Sequence, residues 1–298
     1  MTPYSAIEVL RPSSLNEALR WLAQAAEGGE PLRPMAGCTD IMVEANYGRL
    51  QWQRFVDLWC LRGELSGLRW QPSGTGASLL VGALTTYSEL LADPMAQARL
   101  PTLCLASSQV GATQIQARGT FAGNVENGSP AADAVPVLMA LDAKVHLQGV
   151  NGRRSVPLDR YYSGYRQTGR TADELIVAIS IPAQPDCSHF FRKVGTRAYQ
   201  AITKVGLATR LQWRDGAIEQ ARVVAIAMGP TICRCPALER ALVGMTGLDD
   251  PNRRALRDAQ ALDLTPISDV RSTAAYRAEV FARLLCQAVT EASPGVAG

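Results

Sequence analysis

The dipeptide Asp215-Gly216 divides two long runs of strand-forming residues, "VGLATRLQWR" before it and "AIEQARVVAIAM" after it. Asp-Gly accepts the left-handed backbone of a tight hairpin, so the two runs read as antiparallel neighbours. No helical pattern interrupts the region from Ser188 to Arg234. Helical patterns follow it, in "PALERALVGM", "NRRALRDAQALD" and "STAAYRAEVFARLLCQAVTEA". Strands followed by helices, rather than alternating with them, indicate a separate α+β unit. Pro182, Pro185 and Asp186 cluster at its upstream boundary. At 298 residues the chain is long for a single core. We therefore expect a first domain over 1–185 in two lobes, 1–60 and 61–185. A C-terminal domain over 186–298 follows, an antiparallel sheet with helices.

Composition narrows the function classes. Apolar residues make up 47% and charged residues 19%, enough to build real cores and too ordered a balance for a disordered chain. Thirty basic residues against 27 acidic ones give a net charge of +3, which argues against a nucleic-acid surface. No apolar run approaches the ~18 residues of a membrane helix. The start "MTPYSAIEVLRPSS" lacks a basic segment followed by an apolar one, so no signal peptide is expected and the cytoplasm is the default. The cysteines are Cys38, Cys60, Cys104, Cys187, Cys233, Cys235 and Cys286. None has C-x-x-C spacing, and the C-x-C at Cys233 and Cys235 does not match a zinc or ferredoxin-type site. Reduced thiols, and no metal in this chain, are the expectation.

Upstream, "PSSLNEALRWLAQAA" reads as an amphipathic helix capped by Ser14, with Glu17 placed to close a capping box. "QRFVDLWC" reads as a short strand ending the first lobe. "LSGLRWQPSGTGASLLVGALTTYSELL" gives two strands about a Gly/Ser turn and the start of a helix. A mostly apolar helix in "LPTLCLASSQVGATQIQARG" runs into a polar turn. A buried helix is expected from about Ala131 to Leu141, then a hairpin turning at Asn151-Gly152. "DELIVAISIPAQP" reads as an edge strand closed by Pro182.

Two small-residue stretches are candidates for chemistry. In "RPMAGCTDIMVE", Arg33 to Glu44, small residues would let backbone N–H groups approach a diphosphate. The same residues also suit a plain strand-to-helix turn with Thr39 or Asp40 as cap. In "TFAGNVENGSPAADAVP", Thr120 to Pro136, Gly123 permits close approach and Thr120, Asn124 and Ser129 bring neutral hydrogen-bonding groups. Asp133 offers an acceptor for a diol, or merely suits the start of a helix. No cation lies inside this second stretch, so a phosphate there would rely on neutral donors. Neither stretch is a G-x-G-x-x-G dinucleotide fingerprint, and no Walker A sequence is present.

Together the two stretches form a pattern. "AGCTDIMV" resembles the A-G-G-T-D-L-M-V turn of the FAD-binding (medium) subunit of molybdenum hydroxylases. "ARGTFAGNVENGSPAADAVPVLMALDAKV" is similar to that family's R-x-x-G-T-x-G-G-N-x-x-x-x-S-P-x-x-D motif and its continuation. "FRKVGTRAYQAITKV" and "GPTICRCPALERAL" resemble two further segments, in order along nearly the whole chain. The family is xanthine dehydrogenase-like and includes carbon monoxide and caffeine dehydrogenases. The resemblance implies an α+β chain: a two-lobed FAD domain of the vanillyl-alcohol-oxidase type and a C-terminal α+β domain.

It also implies non-covalent FAD lying between the lobes. Pro34, Met35, Ala36, Gly37, Cys38, Thr39, Asp40 and Ile41 would wrap its diphosphate. Val110 and Gly111 would lie on the flavin side, and Thr120, Gly123, Asn124 and Asp133 would hold diphosphate, ribityl chain and flavin edge. Ile176 would pack by the ring, with Lys193 near it. No side chain is assigned a catalytic role. Molybdopterin and [2Fe–2S] clusters are expected in a large and a small partner subunit, in a dimer of heterotrimers. Electrons would pass from the clusters through FAD to NAD+ or another acceptor. A stand-alone flavin reductase of the same fold is the alternative. Cys38 stands where the family has a second glycine, and Ala122 where it has the first glycine of G-G-N. The cysteine-bearing insertion of some relatives is absent, so no cluster is expected here. His146 and His189 lie outside the matched motifs and are expected to be structural.

Overall fold

A computed structural model describes residues 7–73, 76–184, 186–198 and 200–293. The chain begins with β1 (Glu8–Leu10), α1 (Leu15–Glu27), β2 (Arg33–Met35), α2 (Ile41–Asn46) and β3 (Arg54–Asp57). The three strands form a parallel sheet in the order β1-β3-β2. Helix α1 covers it, burying Leu15, Ala18, Leu19 and Leu22 at the spacing the sequence predicts. Ser14 caps α1 by accepting from the Glu17 backbone N–H. The Glu17 carboxylate closes on Ser13 instead of Ser14, accepting from its N–H and hydroxyl at 2.6 and 2.7 Å. The strand expected over Gln53 to Cys60 stops at Asp57, whose carboxylate accepts from Trp59 N and starts a 3-10 helix over Leu58–Leu61.

The second lobe follows a short α3 (Arg62–Leu65). Its strands β4 (Leu68–Ser73) and β5 (Gly76–Gly82) flank the expected turn, whose two central residues lie outside the described ones. Four helices come next: α4 (Tyr87–Leu91), α5 (Pro94–Arg99), α6 (Pro101–Ser108) and α7 (Thr113–Gln116). Then come α8 (Phe121–Asn127), α9 (Ala134–Ala140), and the hairpin β6 (Lys144–Gly149) and β7 (Gly152–Pro157). A small hairpin, β8 (Tyr162–Gly164) with β9 (Gln167–Thr168), precedes β10 (Leu175–Ile181). The antiparallel sheet runs β4-β5-β10-β6-β7.

Two expectations change here. β10 is the central strand, paired on both sides, not an edge. Its nearly unbroken burial reflects that position, and the proline after it lies just past the last ladder pair, where its missing N–H costs nothing. The polar stretch before the buried helix is itself mostly helical. Thr120 caps α8, and Gly128 ends it in the left-handed conformation (φ 60°).

The C-terminal domain holds β11 (Ser188–Val194), β12 (Val205–Arg214), β13 (Ala217–Ile226) and β14 (Cys233–Arg234) in sequential antiparallel order. Asp215 and Gly216 take φ values of 51° and 79°, the left-handed pair the sequence predicts for this turn. Helices α10 (Pro236–Leu242), α11 (Asp250–Asp263) and α12 (Ala274–Ala292) follow. The central strands are buried on both faces. Leu207, Leu211, Val223 and Ala225 face α10 and α12, while Ala208, Val224 and Ile226 join the core of the second lobe through α9. Asp142 reinforces that seam, accepting from Arg210 at 2.7 Å and Arg222 at 2.9 Å. All seven cysteines are free thiols.

One ion pair gives a pH-readable handle on the second lobe. Arg154 of β7 donates to both oxygens of Glu174 at 2.6 Å, and the Thr171 N–H adds a third bond. These bonds, the Arg154 ones foremost, hold the Glu174 carboxyl at about 2, below its ordinary 4.5. A depressed carboxylate stabilises the fold above its unfolded value and loses that contribution as pH falls through the folded one. Glu174→Gln should lower stability by about 1 kcal/mol at neutral pH, a figure kept small because Arg154 is half exposed and screened. The gap to wild type should close as pH falls from 4.5 to about 2 in urea denaturation.

Candidate functional site

β2 and β3 run parallel, with Met35 opposite Asp57, so both chains leave the sheet at the same edge. In open parallel sheets, ligands gather outside the carboxyl ends of the strands. The turn 36–40 forms there. Its position is set by Gly37: a Cβ on that residue would lie 1.8 Å from the carbonyl oxygen of Arg118. Only glycine allows this approach. The contact joins the first stretch singled out in the sequence to the second, which begins two residues later. Asn127, at the end of α8, adds a side-chain hydrogen bond to Asp40.

Cys38 takes φ 62°, the left-handed region that its glycine counterpart would enter freely. Its thiol donates to the Ala36 carbonyl at 3.4 Å, and burial pushes its pKa up. Pro34 and Met35 belong to β2, and Ala36 packs on the core of the first lobe. Thr39 completes the turn and Ile41 opens α2. Asp40 occupies the cap position of α2 without capping it. It keeps exposed surface yet is ringed by protein, and that burial raises its carboxyl, with Arg166 opposing.

In the second stretch, the Thr120 hydroxyl is buried and accepts from Gly123 N–H at 3.1 Å. A Cβ at Gly123 would meet that hydroxyl at 2.9 Å and, outside the helix's own backbone, nothing else within 4 Å. One face of α8 is therefore open at Gly123. The neighbouring Asn124 Oδ1 is buried with no partner among the described residues. Ala122 sits inside α8, where alanine favours the helix more than the family's glycine does. Ile176 is the second residue of β10 and shares a core with Phe121 and Val125.

Asp133 does not cap α9. Its two oxygens accept from Lys193 Nζ at 2.7 Å and from the Thr203 hydroxyl at 2.8 Å. Lys193, on β11, is 6% exposed at its side chain and also donates to the carbonyls of Gln109 and Ala201. The lysine thus ties the C-terminal domain to Asp133 and to the segment carrying Val110 and Gly111. Burial raises the Asp133 carboxyl, and the Lys193 ammonium opposes that. His146 bonds Ser155 and Ser180 between strands, and His189 lies beside Cys187, both away from these turns.

Sequence reasoning missed three neighbours of the site. Arg118 stands just before Gly119 in the quoted motif, and Trp59 lies under its guanidinium at 3.7 Å. Tyr87 is fully buried, packs on Gly119, and its hydroxyl has no partner among the described residues. The adjacency of Arg118 to the motif was a usable signal; nothing local marks Trp59 or Tyr87. The cavity of about 430 Å³ between α11 and α12 is lined by none of these residues.

Open space at Gly123, an unpartnered amide oxygen on Asn124 and a guanidinium beside the turn 36–40 fit a diphosphate with polyol and planar ring parts. Among the described residues no group of three or more His, Cys, Asp or Glu is placed to hold a metal. Cys38→Gly should raise stability by about 0.5 kcal/mol, since removing left-handed strain outweighs the added unfolded-state freedom. Cys38→Val should lower it by about 1–2 kcal/mol or more, read as midpoint shifts in urea. Lys193→Met leaves Asp133 buried without its cation and should cost about 3–5 kcal/mol. In Lys193→Met with Asp133→Asn most of that loss should return, as measured by the same denaturation.

Comparison with known proteins agrees with this geometry. The family described as the FAD binding domain in molybdopterin dehydrogenase matches residues 5–184. The family described as the CO dehydrogenase flavoprotein C-terminal domain matches residues 190–292. The xanthine dehydrogenase FAD-binding subunit of Escherichia coli O157:H7 is 27% identical over 292 residues, covering 97% of this chain and 96% of that protein. The carbon monoxide dehydrogenase medium chain of Afipia carboxidovorans is 30% identical over 288 residues, covering 95% of each. Carbon monoxide dehydrogenase from Hydrogenophaga pseudoflava superposes with a TM-score of 0.87 at 28% identity, over 96% of each chain. With both domains matched end to end and the two motif turns meeting in space, this chain belongs to the family of FAD-binding subunits of the xanthine and carbon monoxide dehydrogenase-type molybdenum hydroxylases.

Proposed function

We propose that this chain binds FAD non-covalently and serves as the electron-transfer subunit of a multi-subunit molybdenum hydroxylase. The observation that carries the reading is the contact of Gly37 with Arg118, which brings the turn 36–40 against the start of α8. Two functional units, 1–185 and 186–298, would share the work, the first holding the cofactor and the second closing over it. The turn 36–40, between Pro34 and Met35 of β2 and Ile41 of α2, would present backbone N–H groups to the diphosphate. Gly123 would let the cofactor lie against α8, with Asn124 as its polar partner. Val110, Gly111 and Ile176 would give the ring an apolar wall. Asp133, held by Lys193 and Thr203, would fix the polar rim between the two domains. Lys193 has an acceptor for each of its three N–H groups, so its part is to hold Asp133 and to set local charge.

Bound FAD supplies two-electron redox chemistry and one-electron exchange, and the protein contributes binding, orientation and electrostatics. Electrons would arrive from [2Fe–2S] clusters in a small subunit, after substrate hydroxylation at molybdopterin in a large one. NAD+ or another acceptor would take them, in a dimer of heterotrimers. Among the described residues no helix is long and apolar enough to cross a membrane. The assembly would work in the cytoplasm.

The full chain, purified with FAD supplied, should carry flavin near one per chain. Acid precipitation should release all of it to the supernatant, as a non-covalent cofactor requires. Co-expressed large and small subunits should co-purify. A colourless chain that takes up no FAD on reconstitution would sink the reading.

A further inference from the structure

Two guanidinium groups gather on one indole, that of Trp59, beside the turn 36–40. The Asp57 carboxylate fixes the backbone of Trp59 by accepting its N–H at 2.9 Å. The Arg62 guanidinium lies 4.5 Å from the centroid of a Trp59 ring, and the Arg118 guanidinium 3.7 Å from it. Guanidinium groups favour such placement because the ring quadrupole attracts the cation and the planes stack. The two arginines differ in their other partners. Arg62 is engaged, donating to Glu89 at 2.5 Å and to the Leu84 carbonyl at 3.1 Å. Arg118 has no ion pair among the described residues, and its side chain is on an exposed residue.

Two other guanidinium groups near the turn share one carboxylate. Arg33 donates both ends of its guanidinium to Glu44, at 2.6 and 3.3 Å, and Arg166 meets the same carboxylate. Arg118 differs from these two in having no carboxylate within ion-pair distance among the described residues. Its backbone carbonyl touches Gly37, which fixes the residue against the turn. The field of its side chain reaches the Cys38 thiol, which it stabilises in the charged form against the effect of burial.

We propose that Arg118 is the counter-ion for the diphosphate of the dinucleotide held at the turn 36–40, with Trp59 and Arg62 as its positioning residues. This rests on the FAD reading and adds a charge where the sequence offered only neutral donors. Stacking on Trp59 removes rotamer freedom from the arginine before the anion arrives, so less is lost when it binds. Arg62, itself paired with Glu89, also holds the ring and does not compete for the anion.

The test uses the full chain stripped of flavin and titrated with FAD, ADP and riboflavin, at low and high salt. For Arg118→Gln the FAD dissociation constant should rise about 10- to 100-fold, the value of one charge-assisted hydrogen bond. ADP, which carries the diphosphate without the flavin ring, should weaken by the same factor; riboflavin, which has no phosphate, should be unaffected. The salt dependence of FAD binding should flatten in the variant. Arg118→Lys should recover part of the affinity and the salt dependence. Trp59→Phe, which keeps an aromatic face, should lie nearer wild type than Trp59→Leu, with thermal midpoints checked for each. Wild-type FAD and ADP affinity in Arg118→Gln would overturn the proposal while leaving the cofactor reading intact. Equal weakening of riboflavin would also overturn it, since the arginine would then act through the fold or the ring. A wild-type chain that binds no FAD would instead remove the cofactor reading, and this proposal with it.

Discussion

The carbonyl of Arg118 lies where a side chain on Gly37 would begin, and the rest of the site is arranged around that approach. It presses the turn leaving a parallel strand of the first lobe against the segment that opens α8 in the second. Thr120 then caps α8, Gly123 leaves an open face on it, and Asn127 at its far end reaches Asp40. A single methyl group at Gly37 would push these two backbones apart. No repacking of neighbours relieves it, because the obstacle is main chain rather than a flexible side chain.

A second constraint acts across the domain boundary. Lys193 leaves β11 and is buried among Asp133, Gln109 and Ala201, while Thr203 takes the other Asp133 oxygen. A buried ion pair is weak evidence for net stability, but removing one member of it is costly, so the pair specifies how the domains dock more than how firmly they fold. Asp142 plays a similar part at the back of the same helix, between Arg210 and Arg222. The C-terminal sheet is thereby held with one face on α9 and the other under its own helices. The docked domain supplies the lysine that neutralises an acid of the cofactor lobe. The two domains are therefore coupled through one charge, and the polarity near the site depends on the interface staying closed.

The local turn and cap chemistry was readable from residues close in sequence. Asp215-Gly216 takes the left-handed pair of a tight hairpin, Ser14 caps α1, and the three C-terminal helices stand where their periodicity puts them. The glycine turns and the run into Asp133 were readable as motifs through resemblance. What was misread shares one cause. The strand from Leu175 to Ile181 looks like an edge from its closing proline, yet two distant strands flank it. Glycines and amides from Thr120 to Gly128 look like a loop, yet a threonine cap and tertiary packing hold them helical against their weak propensity.

By itself, then, the sequence determined the hairpin, the serine cap of α1, the turn at 36–40 and the family to which the chain belongs, because each shows in residues a few positions apart. Only the tertiary structure decided that Gly37 meets Arg118, that Lys193 answers Asp133, and that two arginines gather on Trp59. Those contacts join residues far apart along the chain. Their partners are chosen by which strands pair and which faces are buried, and no local pattern records the sum of those choices.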